Sequence, residues 1–494
     1  PFIVRDANKC IYCGRCIRTC AEIQGPAVLG YIYRGFATLV APEFGDSLTK
    51  TSCLSCGKCI DVCPVGALTE RTVHYKFNPH LKDISLQNCS LCGVGCLIQT
   101  ETQAGTITRV TTSQKEPGFN GKNLCFKGRF GWQSFYDKDR LTVPLKKEKG
   151  IFKEISWQEA TDLIAEKISL GNSQRFEISP YISLEEMLLL KRAADKYTTV
   201  LSANPVFSAF SDSCISLRPQ KEPYRILDNF QEYVVYGELN QVLATLIRLQ
   251  QRKGKKLTLV NYPENPFCRF ADANYANIKE VQTTEKTLFI YNQNRISEQE
   301  AYELWCFASE KGKDNLLVST DYHNHPGFLA MQPNFSLTVS DFVLGWGVYP
   351  FLSAEAKFSV AIMTFKDEKA PVDLLIPAPS YLEMEGTALS DLGQVTKSAN
   401  PAKSIIINEL LRMFYCLKWI HPNSAEIPFW NGEAEKFLVS LQNYVPAKFE
   451  PNAIKSAELS KTIKGIPSQV EKYIANLFEQ RKIAIKFSGG LMSS

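Results

Sequence analysis

The chain has 494 residues, 45% of them hydrophobic and 22% charged, with a formal net charge of +5. That length exceeds one ordinary core, so about two to four domains are expected; no apolar run approaches the roughly 18 residues of a spanning helix, so no membrane segment is expected. Basic runs such as "LKKEKG" and "QRKGKK" carry no interleaved aromatics, so they read as solvated loops and a nucleic-acid surface is excluded.

No charged stretch followed by an apolar one opens the chain, and a cytoplasmic location is the expectation. Of 16 cysteines, twelve crowd into three groups within the first quarter of the sequence. In a long chain without a secretion signal, such crowding points to metal ligation rather than disulfides.

Taken in chain order, "CIYCGRCIRTC" sets Cys10, Cys13, Cys16 and Cys20 at C-x2-C-x2-C-x3-C, and "CLSCGKCIDVCP" repeats the pattern with Cys53, Cys56, Cys59 and Cys63 before Pro64. Three thiolates two residues apart on a tight loop can reach three irons of one cubane, while the fourth, three residues on and opening a helix, points to the other. Cys10, Cys13, Cys16 and Cys63 are therefore expected to hold one 4Fe–4S cluster, and Cys53, Cys56, Cys59 and Cys20 a second. Gly14 and Gly57 keep the loops small enough for backbone amides to approach the sulfurs. Structural zinc would use paired C-x2-C knuckles instead. The segment resembles bacterial two-cluster ferredoxins over its whole length. Asn8, Lys9 and the linker "AEIQGPAVLGYIYRGFATLVAPEFGDSLTKT" resemble more specifically the ferredoxin-type module fused to formate dehydrogenases and related hydrogenase subunits.

The third group, in "NCSLCGVGCLI" and "GKNLCFKGRFG", places Cys89, Cys92, Cys96 and Cys125 at C-x2-C-x3-C-x28-C. A zinc ribbon would want two close pairs; here three ligands come early and one late. The pattern resembles the small domain that opens the molybdopterin oxidoreductase superfamily, and the resemblance implies a third 4Fe–4S cluster on these four residues. It continues through "NLCFKGRFGW" and "RLTVPLKKEKGIFKEISWQEATDLIAEKI". Lys127 matches the lysine that lies between cluster and pterin in catalytic members. On charge alone, a lysine beside a cluster stabilises its added electron.

From about residue 131, short apolar strands alternate with amphipathic stretches: "WQEATDLIAEKI" predicts a helix, "EYVVYG" and "KKLTLVNYP" predict buried strands, and a parallel α/β domain is expected. "ISLEEMLLLKRAADKYTTVLSANP" and "ISEQEAYELWCFASEKGKDNLLVSTDYH" are alike enough to suggest a repeated helix–strand unit. In catalytic relatives this region carries pterin dinucleotides, whose phosphates need small residues at strand ends. Here the sequence departs, with "GELNQV", "YPENPFCRFAD", "MQPNFSLTVSDFVLGWG" and "KDEKAP" at the matching places. Cys214 in "FSDSCISLRPQ" is the nearest match to the metal-binding cysteine of formate dehydrogenases, but Asp212 and Ile215 replace the expected flanks, so it reads as a structural cysteine. Cys268, Cys306 and Cys416 are expected to be core cysteines, and His323 and His325 in "DYHNHPG" to lie in a loop rather than bind metal. "DLLIPAPSYLEMEGTALSDLGQV" keeps the family's Glu-x-x-Gly-Thr pattern with Gly386, Thr387 and Gly393, while the closing β-barrel of catalytic members is not expected after "KIAIKFSGGLMSS".

The chain thus resembles the large iron–sulfur subunits of NADH dehydrogenases, multimeric hydrogenases and formate dehydrogenases. The expected architecture is an α+β two-cluster ferredoxin module (1–73), a small 4Fe–4S domain (82–138) and a degenerate α/β parallel-sheet domain of the molybdopterin oxidoreductase type (139–494). The resemblance implies three 4Fe–4S clusters and no molybdopterin. It implies electron transfer between a flavin- and NAD(P)H-binding subunit, with a small 2Fe–2S subunit, and ferredoxin or a hydrogenase or formate dehydrogenase partner, in a soluble complex compatible with electron bifurcation. The alternative is a catalytic molybdenum or tungsten formate dehydrogenase subunit with Cys214 on the metal.

Overall fold

The computed structural model describes residues 2–419 apart from 43–44, 72–81, 114–117, 200, 204–224, 311–314, 332–339, 348–349, 351–354, 384–385, 392–394 and 399–404. Cys214, Gly393, most of "MQPNFSLTVSDF" and everything beyond 419 lie outside the described residues.

The first element, Ile3–Arg5, pairs antiparallel with Leu68–Glu70, so the two ends of the N-terminal module meet in one small sheet. Between them lie two similar cysteine turns. Gly14 and Gly57 take φ of +66° and +68° and act as N-caps of the short helices Arg15–Arg18 and Lys58–Asp61, a conformation open to glycine at no steric cost. These glycines turn the chain between the second and third cysteine of each motif, so each helix opens there and not at the fourth. Cys20 falls in the following turn Thr19–Gln24, and Cys63 lies past the end of Lys58–Asp61. A hairpin, Gly30–Ile32 with Leu39–Ala41, separates the halves.

Next comes a three-stranded antiparallel sheet of Asp83–Asn88, Leu97–Gln103 and Thr106–Thr111. The loop between its first two strands carries Cys89, Cys92 and Cys96, and the short helix Phe126–Phe130 is capped by Cys125.

Beyond it, parallel α/β structure is built as two sheets. One has seven strands in the order Leu201–Ala203, Gln174–Ile178, Phe342–Trp346, Phe358–Met363, Leu374–Pro377, Leu145–Glu148, Ile151–Glu154; the last two are antiparallel additions. The other has five parallel strands, Ala273–Tyr275, Lys256–Val260, Glu232–Tyr236, Thr287–Asn292 and Leu316–Ser319. All five come from chain inserted between Ala203 and Phe342 of the first sheet. Every residue of Thr287–Asn292 is buried, as a parallel strand covered on both faces requires. The helix Trp157–Leu170 starts where Ser156 accepts from the Glu159 N–H, buries Ala160, Thr161, Ile164 and Ile168 along one face, and stops at Gly171.

The two similar stretches noted in the sequence form matching units. Ser183 and Ser297 each make a capping box with Glu186 and Glu300, and the helices lead to the edge strands Leu201–Ala203 and Leu316–Ser319. The units serve different sheets.

In the five-stranded sheet the first strand in sequence, Glu232–Tyr236, is central, with later strands on either side. In open parallel sheets such a reversal is where a crevice forms, at the strands' carboxyl ends. Asn240 there donates to the Ser319 hydroxyl and the Thr320 carbonyl, and Asn292 donates to Asp321. The cysteine loop 89–96 docks on this edge through the Gly93 N–H to the Thr320 carbonyl, 3.2 Å.

Candidate metal centres

Cys10, Cys13, Cys16 and Cys63 line one cavity of about 260 Å³, together with Gly14 and Pro64. Cys20, Cys53, Cys56 and Cys59 line another, with Gly57 and Lys58. Each set takes three cysteines from one half of the module and the fourth from the other. Burial pushes the Cys16 thiol up to about 11, with the Ile17 N–H acting against it. Burial takes Cys56 up to about 12, opposed by the Lys58 N–H and by the Arg129 charge. Cys59 is also raised well above the ordinary thiol range, by burial and then by its cysteine neighbours.

In the third group, a Cβ placed on Gly128 would lie 3.6 Å from the Cys89 sulfur and 3.8 Å from that of Cys125, which brings the early and late cysteines together. The Gly128 N–H points at the Cys125 sulfur at 3.4 Å. Burial and Cys125 push Cys89 up to about 12, while the Leu91 N–H and the Lys127 charge act in the other direction. Lys127 therefore sits within electrostatic reach of this group, half-buried on the helix that Cys125 caps. Among the described residues, no three His, Cys, Asp or Glu side chains meet at the spacing of a single-ion site; the cysteines of the first two groups line cavities instead.

The remaining candidates are dispersed. Of the three expected core cysteines, Cys268 is half-buried and packed against the core, Cys306 is half-buried, and Cys416 is exposed on the helix Ile405–Cys416. Cys268 donates to the Pro263 carbonyl at 3.4 Å. His323 lies in a turn as expected, but it is buried, and burial lowers it to about 3, so it is neutral. The side chain of His325 is outside the described residues.

Sequence reasoning missed two features beside these groups. Arg129, the largest wholly buried side chain among the described residues, pairs with Asp61 and Glu70 of the N-terminal module; its only sequence signal is its place four residues after Cys125. Tyr381 is half-buried with its hydroxyl shut off from solvent, and its phenol is pushed far up by burial and by Cys89 and Cys125. Tyr381 shares a small cavity with Asn88, Ser90 and His323.

The first group is the most exposed. Ile11, Tyr12, Cys13, Tyr31, Tyr33, Phe36 and Val65 are exposed around it, and the Tyr31 hydroxyl donates to the Tyr12 carbonyl at 2.7 Å. Arg5, Lys9, Arg15, Arg18 and Arg34 are exposed on the same module.

Comparison with known proteins agrees with this layout. Residues 1–69 match the ferredoxin-like domain of NADH-quinone oxidoreductase subunit 3, residues 88–137 the molybdopterin oxidoreductase Fe4S4 domain, and residues 140–211 the molybdopterin oxidoreductase family. An NADH-quinone oxidoreductase subunit of Rhizobium meliloti is 35% identical over 42% of this chain and 24% of its own length. NADH-quinone oxidoreductase subunit 3 of Thermus thermophilus is 34% identical over 40% of this chain and 25% of its own. NADPH-Fe(3+) oxidoreductase subunit alpha of Geobacter sulfurreducens is 33% identical over 30% and 17%. The matched stretches thus span about a quarter or less of these relatives. Across residues 1–211, the chain is thus similar to the iron–sulfur and adjoining domains of NADH-quinone oxidoreductase subunit 3 and of molybdopterin oxidoreductases.

Proposed function

We propose that the chain is an electron-transfer subunit that holds three 4Fe–4S clusters and no pterin of its own, within a multi-subunit NAD(P)H-linked oxidoreductase. The observation that carries this reading is the sorting of eight N-terminal cysteines into two sets, each drawn from both halves of the module and each around its own cavity. All-thiol donor sets spaced around a volume suit a cubane, whose irons are each held by one cysteine. A bound 4Fe–4S cluster supplies one-electron uptake and release.

The protein's own part is electrostatic. Free, its buried thiols would keep their protons, so binding the metal displaces them. The N–H groups of Ile17, Lys58 and Gly128 then stabilise negative charge on sulfur. Lys127 adds positive charge at the third group.

Cys10, Cys13, Cys16 and Cys63 make the exposed end of the series, and the apolar residues and arginines around them support exchange with a partner protein there. Cys89, Cys92, Cys96 and Cys125 make the buried end, against the carboxyl edge of the five-stranded sheet. In this reading the partners are a flavin subunit that meets NAD(P)H, a small 2Fe–2S subunit, and ferredoxin or a catalytic subunit. The names of the relatives, subunits of NADH and NADPH oxidoreductases, support the nucleotide-linked side. Among the described residues, no helix is long and apolar enough to cross a membrane.

Elemental analysis of the anaerobically purified chain tests the proposal. About 12 iron atoms per chain, with neither molybdenum nor tungsten, is the expected result. Near-stoichiometric molybdenum or tungsten would replace this reading with a catalytic one.

A further inference from the structure

Arg129 joins two cysteine groups. It follows Cys125 by one helical turn, its N–H donating to the Cys125 carbonyl at 3.1 Å. Its guanidinium crosses to the N-terminal module, where it pairs with Glu70 at 2.8 Å and with Asp61, two residues beyond Cys59. Its stem lies against Gly57, between Cys56 and Cys59: a Cβ there would stand 2.2 Å from Arg129 Cδ and 2.5 Å from Nε. Gly57 therefore gives the arginine its passage as well as turning its own loop.

Arg109 reaches the same carboxylates, Glu70 at 3.1 Å and Asp61 at 3.6 Å. Two cations thus balance two anions. Gln24 donating to Asn123 at 3.1 Å and Lys58 donating to the Lys122 carbonyl close the contact from the other side. One donor is left over: Arg129 Nε is buried and has no hydrogen-bond partner among the described residues.

Stability alone is a weak reason for this arrangement. Apolar side chains of similar volume often hold a buried contact as well as an ion pair does, because the charges lose their hydration. A charged group with an unmatched N–H, laid along a cysteine loop, does something an apolar side chain cannot. It favours added negative charge on the sulfurs beside it.

We propose that Arg129 is a positioning residue for electron passage between the second and third clusters: its guanidinium fixes the spacing of the two cysteine loops, and its charge and Nε–H favour the reduced form of the second cluster. This inference rests on the electron-transfer reading above.

The test uses the full chain, purified anaerobically, as wild type, Arg129→Gln, Arg129→Lys and Glu70→Gln, with EPR-monitored redox titration and measurement of the magnetic coupling between the reduced second and third clusters. Arg129→Gln leaves the carboxylates in excess and is expected to lower the potential of the second cluster and weaken the coupling. Glu70→Gln leaves the cations in excess and is expected to raise that potential. Arg129→Lys, which keeps charge but not the fork, is expected to hold the potential nearer wild type than Arg129→Gln does. The first cluster should not move in any variant.

A fully iron-loaded Arg129→Gln with wild-type potential and coupling overturns the proposal. If that variant does not load iron, Glu70→Gln decides: an unmoved or lowered second-cluster potential overturns it. A wild-type chain without separate second- and third-cluster signals overturns the electron-transfer reading itself, and iron content reports that failure independently.

Discussion

Replacing Gly93 with alanine tests how the third cysteine loop is held. Gly93 sits between Cys92 and Cys96, and its carbonyl accepts from the Asp391 N–H at 2.9 Å while its own N–H donates to Thr320. Asp391 in turn takes the Thr320 N–H at 2.6 Å and the Thr320 hydroxyl at 3.0 Å. A Cβ on Gly93 would fall 2.1 Å and 2.4 Å from the two Asp391 carboxylate oxygens and 2.4 Å from the Thr320 hydroxyl. Both neighbours are short and buried, so they have little room to retreat. If the methyl displaces the carboxylate, two hydrogen bonds to a charged acceptor are lost, at roughly 1.5–3 kcal/mol each, or ~3–6 kcal/mol together. The expected outcome is a chain that keeps the iron of the first two groups and loses that of the third, falling from about 12 to about 8 atoms. Adding Asp391→Ala should make Gly93→Ala cost markedly less than it does alone, because the two changes meet at one point. Full iron loading and wild-type thermal unfolding in Gly93→Ala would refute the reasoning.

Burial pushes the Glu186 carboxyl up from the ordinary 4.5 to about 7, so the folded chain holds a proton that the unfolded chain releases, and stability falls as pH rises from about 4.5 through about 7. Glu186→Gln keeps an acceptor for the Ser183 N–H and should remove this dependence. Between pH 6 and 8, wild type should lose about 1.3 kcal/mol relative to the variant, and a wild-type-to-variant stability difference that is the same at the two pH values would sink the assignment. Ser297→Ala removes the cap that accepts from the Glu300 N–H and should cost about 1 kcal/mol; amide exchange in 298–309 reads it, and unchanged protection rejects it. The Tyr381 hydroxyl has no hydrogen-bond partner among the described residues, so Tyr381→Phe should be neutral or stabilising by up to about 1–2 kcal/mol. A clear loss in thermal unfolding would show that the hydroxyl is engaged, with the third group as the nearest candidate.

The cysteine groups were legible because ligand chemistry imposes its spacing on the chain directly. Cys10 to Cys20 and Cys53 to Cys63 carry their geometry within eleven residues each. The strands at 232–236 and 256–260 and the helix at 157–170 were legible from periodicity. The division of the α/β region into two sheets was not. A strand destined for one parallel sheet looks locally like a strand destined for another, and the insertion of the five-stranded sheet between Ala203 and Phe342 leaves no local mark. The ion pairs of Arg129 were hidden for a related reason: Asp61 and Glu70 lie 68 and 59 residues away, in ordinary charged contexts. Cys416 was misjudged because an isolated cysteine on an amphipathic helix does not announce which face it takes.

The N-terminal module is held on several sides. Phe2 stacks on Phe130 with ring centroids 4.8 Å apart and meets Phe126 edge-on. Arg269 donates to the Ala21 carbonyl at 2.6 Å, and Gly25 lies so close to Phe270 that a methyl there would stand 3.0 Å from the ring. A module bolted this way cannot work as a swinging arm. In the proposed reading its centres would keep fixed separations, so that no tether length or domain excursion would throttle traffic inside the chain. If the chain carries electrons as proposed, any gate on that flow would lie at the outer face, in the lifetime of the encounter that covers Tyr12, Tyr31 and Tyr33.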